Sequence, residues 1–340
     1  MGHSKKIVFQ IAISLVVCAI FILFFLQNTH WNSAIAIATK SQVGHLIFAI
    51  FSLLACFLLR LYRWLYIVKI YSNSINLQKC FTPFFSSYAI NNILPLRLGD
   101  IARATLFKEY TGVAPHAVVS SLLLERIFDL SSLLVFFYIA IFFLHIDPHQ
   151  NLLISYIFYI SIFASMAIIV LLALPDKTRN LFAALKNSSE KSTSKLAKQA
   201  GEFIFMTINK SYFHVNPRSL FFLFSSSLLA WFFESLMYLL TAHSLGINLD
   251  SIESFLVMSL ATLSTLLPST PGYIGTYDYL CKVSLVFIGV GHNEAAAASL
   301  LMHAVQFLPI TFIGLLAFII HFGKNWRKKL RESFQKRINE

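Results

Sequence analysis

Charge is scarce in this chain, and so is every signature of a water-facing active site. Only 12% of its 340 residues are Asp, Glu, Lys or Arg, too few to hold a surface of that size in water, which excludes an ordinary soluble domain. The sequence has no P-loop, no G-x-S-x-G, no H-E-x-x-H and no cysteine-histidine metal spacing, so no soluble-type active site, metal or cofactor is expected. The four cysteines, Cys18, Cys56, Cys80 and Cys281, lie singly in or beside apolar runs, as small buried hydrophobes do, which leaves no disulfide framework. The 11 histidines are dispersed, and His303, within an apolar run, reads as a packed residue rather than a ligand.

What remains is hydrocarbon. The chain is 57% hydrophobic and 15% aromatic with a mean hydropathy of +0.70, a membrane composition. Its formal charge of +12 gathers at the ends of apolar segments and in two hydrophilic stretches. That placement points to anionic lipid headgroups and not to nucleic acid. Residues 7–26 follow Lys5 and Lys6 and outrun a signal-peptide core, so they read as a retained first span. Further apolar segments at 43–67, 115–144, 151–174, 219–243 and 293–322 bring the expectation to about six spans at roughly 20 residues each. Two shorter pieces, 80–95 and 251–267, run into proline and glycine motifs and read as re-entrant or broken helices. The fold class is therefore all-α, a polytopic integral membrane protein forming one domain over residues 1–340.

Lys and Arg set the orientation. They mark the N-terminus, the region after the second span (Arg60, Arg63, Lys69, Lys79), the stretch 175–218 and the tail 323–340. The segments "HIDPHQN" and "HSLGINLDS" contain none. Both termini are expected in the cytoplasm of a cell with this protein in its inner membrane. The basic stretch 175–218 reads either as an amphipathic pair lying on anionic lipid or as a solvated linker.

Three polar constellations interrupt the apolar runs. In "NNILPLRLGDIAR", Pro95 and Gly99 predict a break, Asp100 sits where a new helix would begin, and Arg103 lies one turn from Asp100, within reach of an internal ion pair. Such a break survives at membrane depth only against protein or a wet cavity; Arg97 and Arg103 also fit the role of cytoplasmic anchors. In "LERIFDL", Glu125, Arg126 and Asp129 precede about 22 Å of helix, which puts them well inside the bilayer. Unpaired, they would cost about 7–10 kcal/mol together. One arginine cannot serve both acids from the same helix, so Arg97 or Arg103 is the expected partner; the alternative is a purely architectural ion network. In "LLPSTPGYIGTYDYL", Pro268, Pro271, Gly272 and Gly275 predict a second break, with Asp278 beyond it. The correspondence of Pro95, Gly99 and Asp100 with Pro271, Gly275 and Asp278 suggests an inverted repeat whose two broken hairpins meet at a polar site. Glu234 is a lone intramembrane acid that either lines the same cavity or bonds a neighbouring helix.

The run from Asn92 to Arg103, N-x-x-P-x-R-x-G-D-x-x-R, followed by E-R-x-x-D at Glu125–Asp129 and P-x-x-P-G-x-x-G at Pro268–Gly275, resembles the flippase-like membrane domain of lysylphosphatidylglycerol synthases and the related UPF0104 proteins. That resemblance implies movement of a phospholipid or lipid-linked headgroup between leaflets. No aminoacyl-transferase domain follows the membrane part, so lipid aminoacylation is not expected; Asp100 and Asp278 stand where glutamate is more usual. The expected binding residues are Asn92, Arg97, Asp100, Arg103, Glu125, Arg126, Asp129, Glu234 and Asp278, with arginines on phosphate and acids balancing them. The expectation is a transporter and not an enzyme. The runner-up is an integral-membrane glycosyl- or phosphotransferase using a polyprenyl-linked donor, which the short outward loops disfavour.

Overall fold

A computed structural model describes residues 16–69, 75–94, 97–105, 112–147, 152–173, 175–190, 217–266 and 271–339, with 108, 202 and 205 besides. The elements it shows are helices: α1 (Val16–Leu26), α2 (Trp31–Thr39), α3 (Val43–Lys69), α4 (Leu77–Ile93), α5 (Leu98–Thr105), α6 (Pro115–Phe143), α7 (Leu152–Ala173), α8 (Pro175–Glu190), α9 (Pro217–Ser244), α10 (Ser251–Leu263), α11 (Thr276–Phe287) and α12 (His292–Asn339). Short 3-10 turns at Ser264–Leu266 and Pro271–Tyr273 join α10 to α11.

The chain starts and stops these helices with ordinary local chemistry. Asp250 and Glu253 close a reciprocal capping box on α10, each side chain accepting from the other's backbone N–H at 2.7 and 2.9 Å, which satisfies donors that the helix has no partner for. Asn76 accepts from the Lys79 N–H at 3.0 Å to begin α4. Pro115, Pro175 and Pro217 each take the first position of a helix, where a missing N–H costs nothing.

Among the described residues, four helices are long and apolar enough to cross a bilayer: Val43–Lys69, Pro115–Phe143, Arg218–Ser244 and His292–His321. The pair α1 and α2, bent by 84°, would make a fifth. Six spans were expected, and the first differs most. Its helix stops at Leu26, the polar run Gln27–His30 turns with Asn28 at φ 56°, and an unforeseen second helix leaves at an angle. The segment expected over 151–174 is α7, whose described apolar stretch is Ile154–Ile168. Residues 1–15 lie outside the described set, as do most of 191–216, where half of the basic amphipathic stretch was expected; its first part is α8. Helix α12 runs unbroken through Asn339, so the residues read as a basic tail continue its last span as helix. Large apolar side chains such as Phe48, Phe163 and Phe312 stand 64–76% exposed on these helices; a lipid-facing surface explains this, a water-facing one does not.

The element order long helix, broken hairpin, long helix occurs twice: α3, α4–α5, α6 and then α9, α10–α11, α12. The two series interlock. Helix α3 packs along α9, α4 packs along α12, and α10 packs along α6, so each hairpin leans on the final helix of the other series. Close approach of α4 and α12 depends on Gly314, where a Cβ would meet the Phe85 carbonyl and the Ala89 side chain, the small-residue contact typical of membrane helices.

Both breaks fall where they were expected, with different hardware. Pro95 and Pro268 lie outside the described residues. Gly99 is not part of the first break: it is helical, in the first turn of α5, and its missing side chain lets the helix sit against the Ser87 carbonyl and Asn91. The left-handed position is instead Arg97, at φ 52°. In the second break the left-handed residues are Gly272 (φ 68°), Tyr273 (φ 58°) and Gly275 (φ 89°), two of them glycines free of the Cβ penalty.

Candidate functional site

Where the two breaks meet, the Arg97 guanidinium donates to the Thr265 carbonyl at 3.0 Å, and the Asn92 carbonyl lies 3.4 Å from where a Cβ on Gly272 would sit. Beside this junction opens a cavity of about 260 Å³ lined by residues of α3, α4, α6, α9, α10, α12 and both breaks, among them Arg60, Asn92, Arg97, Arg126, Asp129 and Glu234. Its remaining wall is largely aromatic, with Phe57, Tyr88, Trp231, Tyr273 and Phe307.

A buried ion network surrounds it. Glu234 on α9 accepts from Arg60 of α3 at 2.5 Å and from the Gln306 amide of α12 at 2.8 Å. Gln306 is fixed in turn by the hydroxyls of Tyr238 and Tyr277, each donating to its Oε1 at 2.7 Å. Asp129 accepts from Arg63 at 2.8 Å and from Ser227 and Trp231 at 3.2 Å; Arg63 also donates to Ser227. Glu125 takes Arg103 at 3.1 Å and faces Arg63 at a looser 3.9 Å. Arg126 meets Asp100 at 3.3 Å, and Asp100 also accepts from Asn91 at 3.0 Å. Arg63, Arg103 and Glu234 are each only 1% exposed. Charges this deep persist only when paired, since the desolvation of each ion costs several kcal/mol. Two arginines gain further from ring faces: Arg103 stands over Trp64, Phe84 and Tyr88 at 4.9, 5.0 and 5.3 Å, and Arg60 over Trp231 at 4.5 Å.

The nine expected binding residues divide. Asn92, Arg97, Arg126, Asp129 and Glu234 line the cavity. Asp100, Arg103, Glu125 and Asp278 do not; they reach it through Arg126, Arg63 and the second break. Asn92 is held to Thr311 at 2.8 Å. The expected pair of Asp100 with Arg103 within α5 does not form: Asp100 turns to Arg126 and Arg103 to Glu125. Arg103 is thus a partner of the acids on α6, as the sequence suggested, whereas Arg97 is not.

Arg60 and Arg63, which the charge pattern sets after the second span, are not loop residues. Both lie inside α3 and carry the acids of α6 and α9. A signal was present: the two are three apart on one helix face within an unbroken apolar run. Gln306, Tyr238 and Tyr277 gave no such signal, and His303, read as a packed residue, proves to be bonded to Asp278 at 2.6 Å. Among the described residues, no group of three or more His, Cys, Asp or Glu could hold a metal ion.

Two UPF0104 membrane proteins of Methanocaldococcus jannaschii are similar to the chain. One is 24% identical over 232 residues, covering 68% of this chain and 93% of the relative; the other is 24% identical over 319 residues, covering 91% and 94%. A UPF0104 membrane protein of Methanothermobacter thermautotrophicus is 29% identical over 106 residues, 31% of each chain. The family described as the lysylphosphatidylglycerol synthase TM region matches residues 7–314, a range that takes in both breaks and every arginine and acid of the network, and the chain belongs to that family of membrane proteins.

Proposed function

We propose that this protein moves an anionic phospholipid, or a headgroup linked to lipid through phosphate, between membrane leaflets by way of the cavity at the two breaks. One observation carries the reading. Of the five arginines in and around the cavity, four have an acid within 3.3 Å: Arg60, Arg63, Arg103 and Arg126. Arg97 lines the cavity, donates to the Thr265 carbonyl and, among the described residues, forms no ion pair, Asp100 acting on it only from a distance. Five arginines against four acids leave one positive charge over, at the junction of two broken helices. A phosphodiester carries the one negative charge that balances it, and a guanidinium fork suits its oxygens. The aromatic wall gives the glycerol and first methylenes an apolar lining, while the acyl chains stay in lipid. The family name refers to a phosphatidylglycerol derivative, which is a phosphodiester lipid.

The process is proposed as non-enzymatic. Both acids on the cavity wall, Asp129 and Glu234, are already engaged by arginines at 2.8 and 2.5 Å, so neither is free to serve as a base in a glycosyl or phosphoryl transfer. The repeated element order supports two hairpins approaching from opposite faces, and the distribution of Lys and Arg supports cytoplasmic termini in the cell membrane.

The test is reconstitution in vesicles of phosphatidylethanolamine and phosphatidylglycerol containing a headgroup-labelled phosphatidylglycerol, with leaflet asymmetry read by an impermeant quencher. The protein is expected to speed its collapse, and Arg97→Ala to slow that rate by about tenfold or more, the loss of a charge-assisted pair of bonds. Equal rates in protein-free vesicles would overturn the proposal, and so would turnover of a labelled polyprenyl donor by the purified protein.

A further inference from the structure

The second break is held by a pair that the cavity does not use. Asp278, in the first turn of α11, accepts from the Gly275 N–H through Oδ2 at 2.9 Å, and its Oδ1 faces His303 Nδ1 at 2.6 Å. The other ring nitrogen, Nε2, lies 2.9 Å from the Gly272 carbonyl. Both neighbours of this imidazole are therefore acceptors. A neutral ring has one N–H and one lone pair, so it can bond the carboxylate or the carbonyl but sets a lone pair against the other. Only the doubly protonated ring makes both bonds.

We propose that lipid movement by this protein is coupled to protons through His303, which latches the Pro271–Tyr273 turn onto Asp278 when protonated and releases it when neutral. The coupling rests on the transport reading above; the latch itself does not. The turn is suited to move. It holds Gly272 and Tyr273 in left-handed conformations, it packs on α4, and Tyr273 forms part of the cavity wall. Losing the Gly272 bond frees the segment that shapes the cavity beside Arg97. The titratable groups facing His303 are Asp278 and Tyr277 from α11, the Tyr277 ring at a centroid distance of 4.8 Å. Tyr273 of the turn packs at a tilt against the neighbouring Phe307, with ring centroids 5.8 Å apart. Cys18 of α1 donates to the Ile274 carbonyl on the far side of the turn. The next charges are Glu234 of α9, reached through Gln306 of α12, and Arg60 of α3 behind it. One proton is taken up by His303 on latching and given back on release.

Two measurements separate the latch from the transport. Amide exchange at residues 271–276, read by mass spectrometry in detergent and corrected for intrinsic rate, is expected to be slow at about pH 5.5 and faster severalfold at about pH 8.5. His303→Gln keeps one donor and one acceptor without titrating and should show the same exchange at both; Asp278→Asn, which removes the charged acceptor facing Nδ1, serves if that variant does not fold. Exchange that is pH-independent in the wild type, or equally pH-dependent in either variant, overturns the latch. In vesicles with an imposed pH gradient, labelled lipid should move faster down that gradient in the wild type and indifferently in His303→Gln. Lipid movement that ignores the gradient overturns the coupling, and no lipid movement at all overturns the transport reading while leaving the exchange result to stand or fall alone.

Discussion

Arg97 reaches from one broken hairpin to the Thr265 carbonyl of the other, 3.0 Å away, and does so from a backbone conformation that costs a non-glycine residue free energy. That combination separates its two contributions. Arg97→Gly relieves the left-handed strain at φ 52°, about 1–2 kcal/mol, which offsets the roughly 0.4–1 kcal/mol of extra unfolded-chain entropy that glycine brings, and it deletes the guanidinium. The variant is expected to unfold no more easily than the wild type while losing most of its lipid movement. Arg97→Lys should fall between, because an ammonium offers a point charge and no fork. Detergent-solubilised thermal unfolding beside the vesicle assay gives both numbers; a wild-type rate in Arg97→Gly would remove this residue from the site.

The Arg63–Asp129 contact at 2.8 Å is buried at the edge of the cavity. Arg63→Met or Asp129→Leu alone strands a buried charge and should cost about 3–5 kcal/mol. The double variant is expected to cost clearly less than the two losses combined, since neither charge is left behind. Denaturant unfolding in micelles measures the cycle. Additive losses would mean that the two side chains do not depend on one another.

Three glycines make a graded series. Gly99→Ala puts a methyl group against the Ser87 carbonyl, and Gly314→Ala against that of Phe85; each should lower stability by about 1–3 kcal/mol. Gly44, in the first turn of α3, has nothing within 4 Å of a Cβ, so Gly44→Ala should gain up to about 1 kcal/mol from helix propensity. Melting midpoints of the three variants test the series, and a stabilised Gly314→Ala would contradict the close approach of α4 and α12.

Lys282 is buried on α11 and donates to the Phe25 carbonyl at 2.9 Å, the Gln27 carbonyl at 2.7 Å and Thr29 Oγ1 at 2.6 Å. Its ammonium takes up carbonyls that the end of α1 leaves without helical donors, next to the 84° bend. Lys282→Met should cost about 1–3 kcal/mol and expose the Gln27–His30 turn to protease, read as a new cleavage in limited proteolysis. Unchanged cleavage would assign the bend to other contacts.

Topology has a direct check, because Cys18, Cys56, Cys80 and Cys281 are all buried and give a silent background. An impermeant maleimide added to intact cells should label Asp147→Cys, and should label Lys177→Cys only after permeabilisation. The reverse pattern would invert the proposed orientation.

Much of this arrangement was legible in the sequence because membrane insertion penalises charge so heavily. Glu125, Arg126 and Asp129 in hydrocarbon announce a network, and clustered Pro and Gly announce two breaks. Arg60 and Arg63 were hidden by an ambiguity in the same rule: near the end of an apolar run a buried arginine and an interfacial one look alike, and the difference is the acid that meets it, 174 residues away for Arg60. The first break is legible from Pro95 and Gly99, but the left-handed residue in it is Arg97, a residue type that gives no sign of that conformation. The interlocking of the two series was invisible, since helices that are apolar all round carry no stripe to say which neighbour they face.

That interlocking has a consequence for how the chain is made. At about 5–20 residues per second, Arg60 enters the membrane on the order of ten to thirty seconds before Glu234 is synthesised. Throughout that interval its charge has no counter-ion from α9, and α4 has no α12 to lie against. The first half of the protein must therefore wait in the insertion machinery, or with its arginines drawn to the lipid interface, until the second half arrives to complete it.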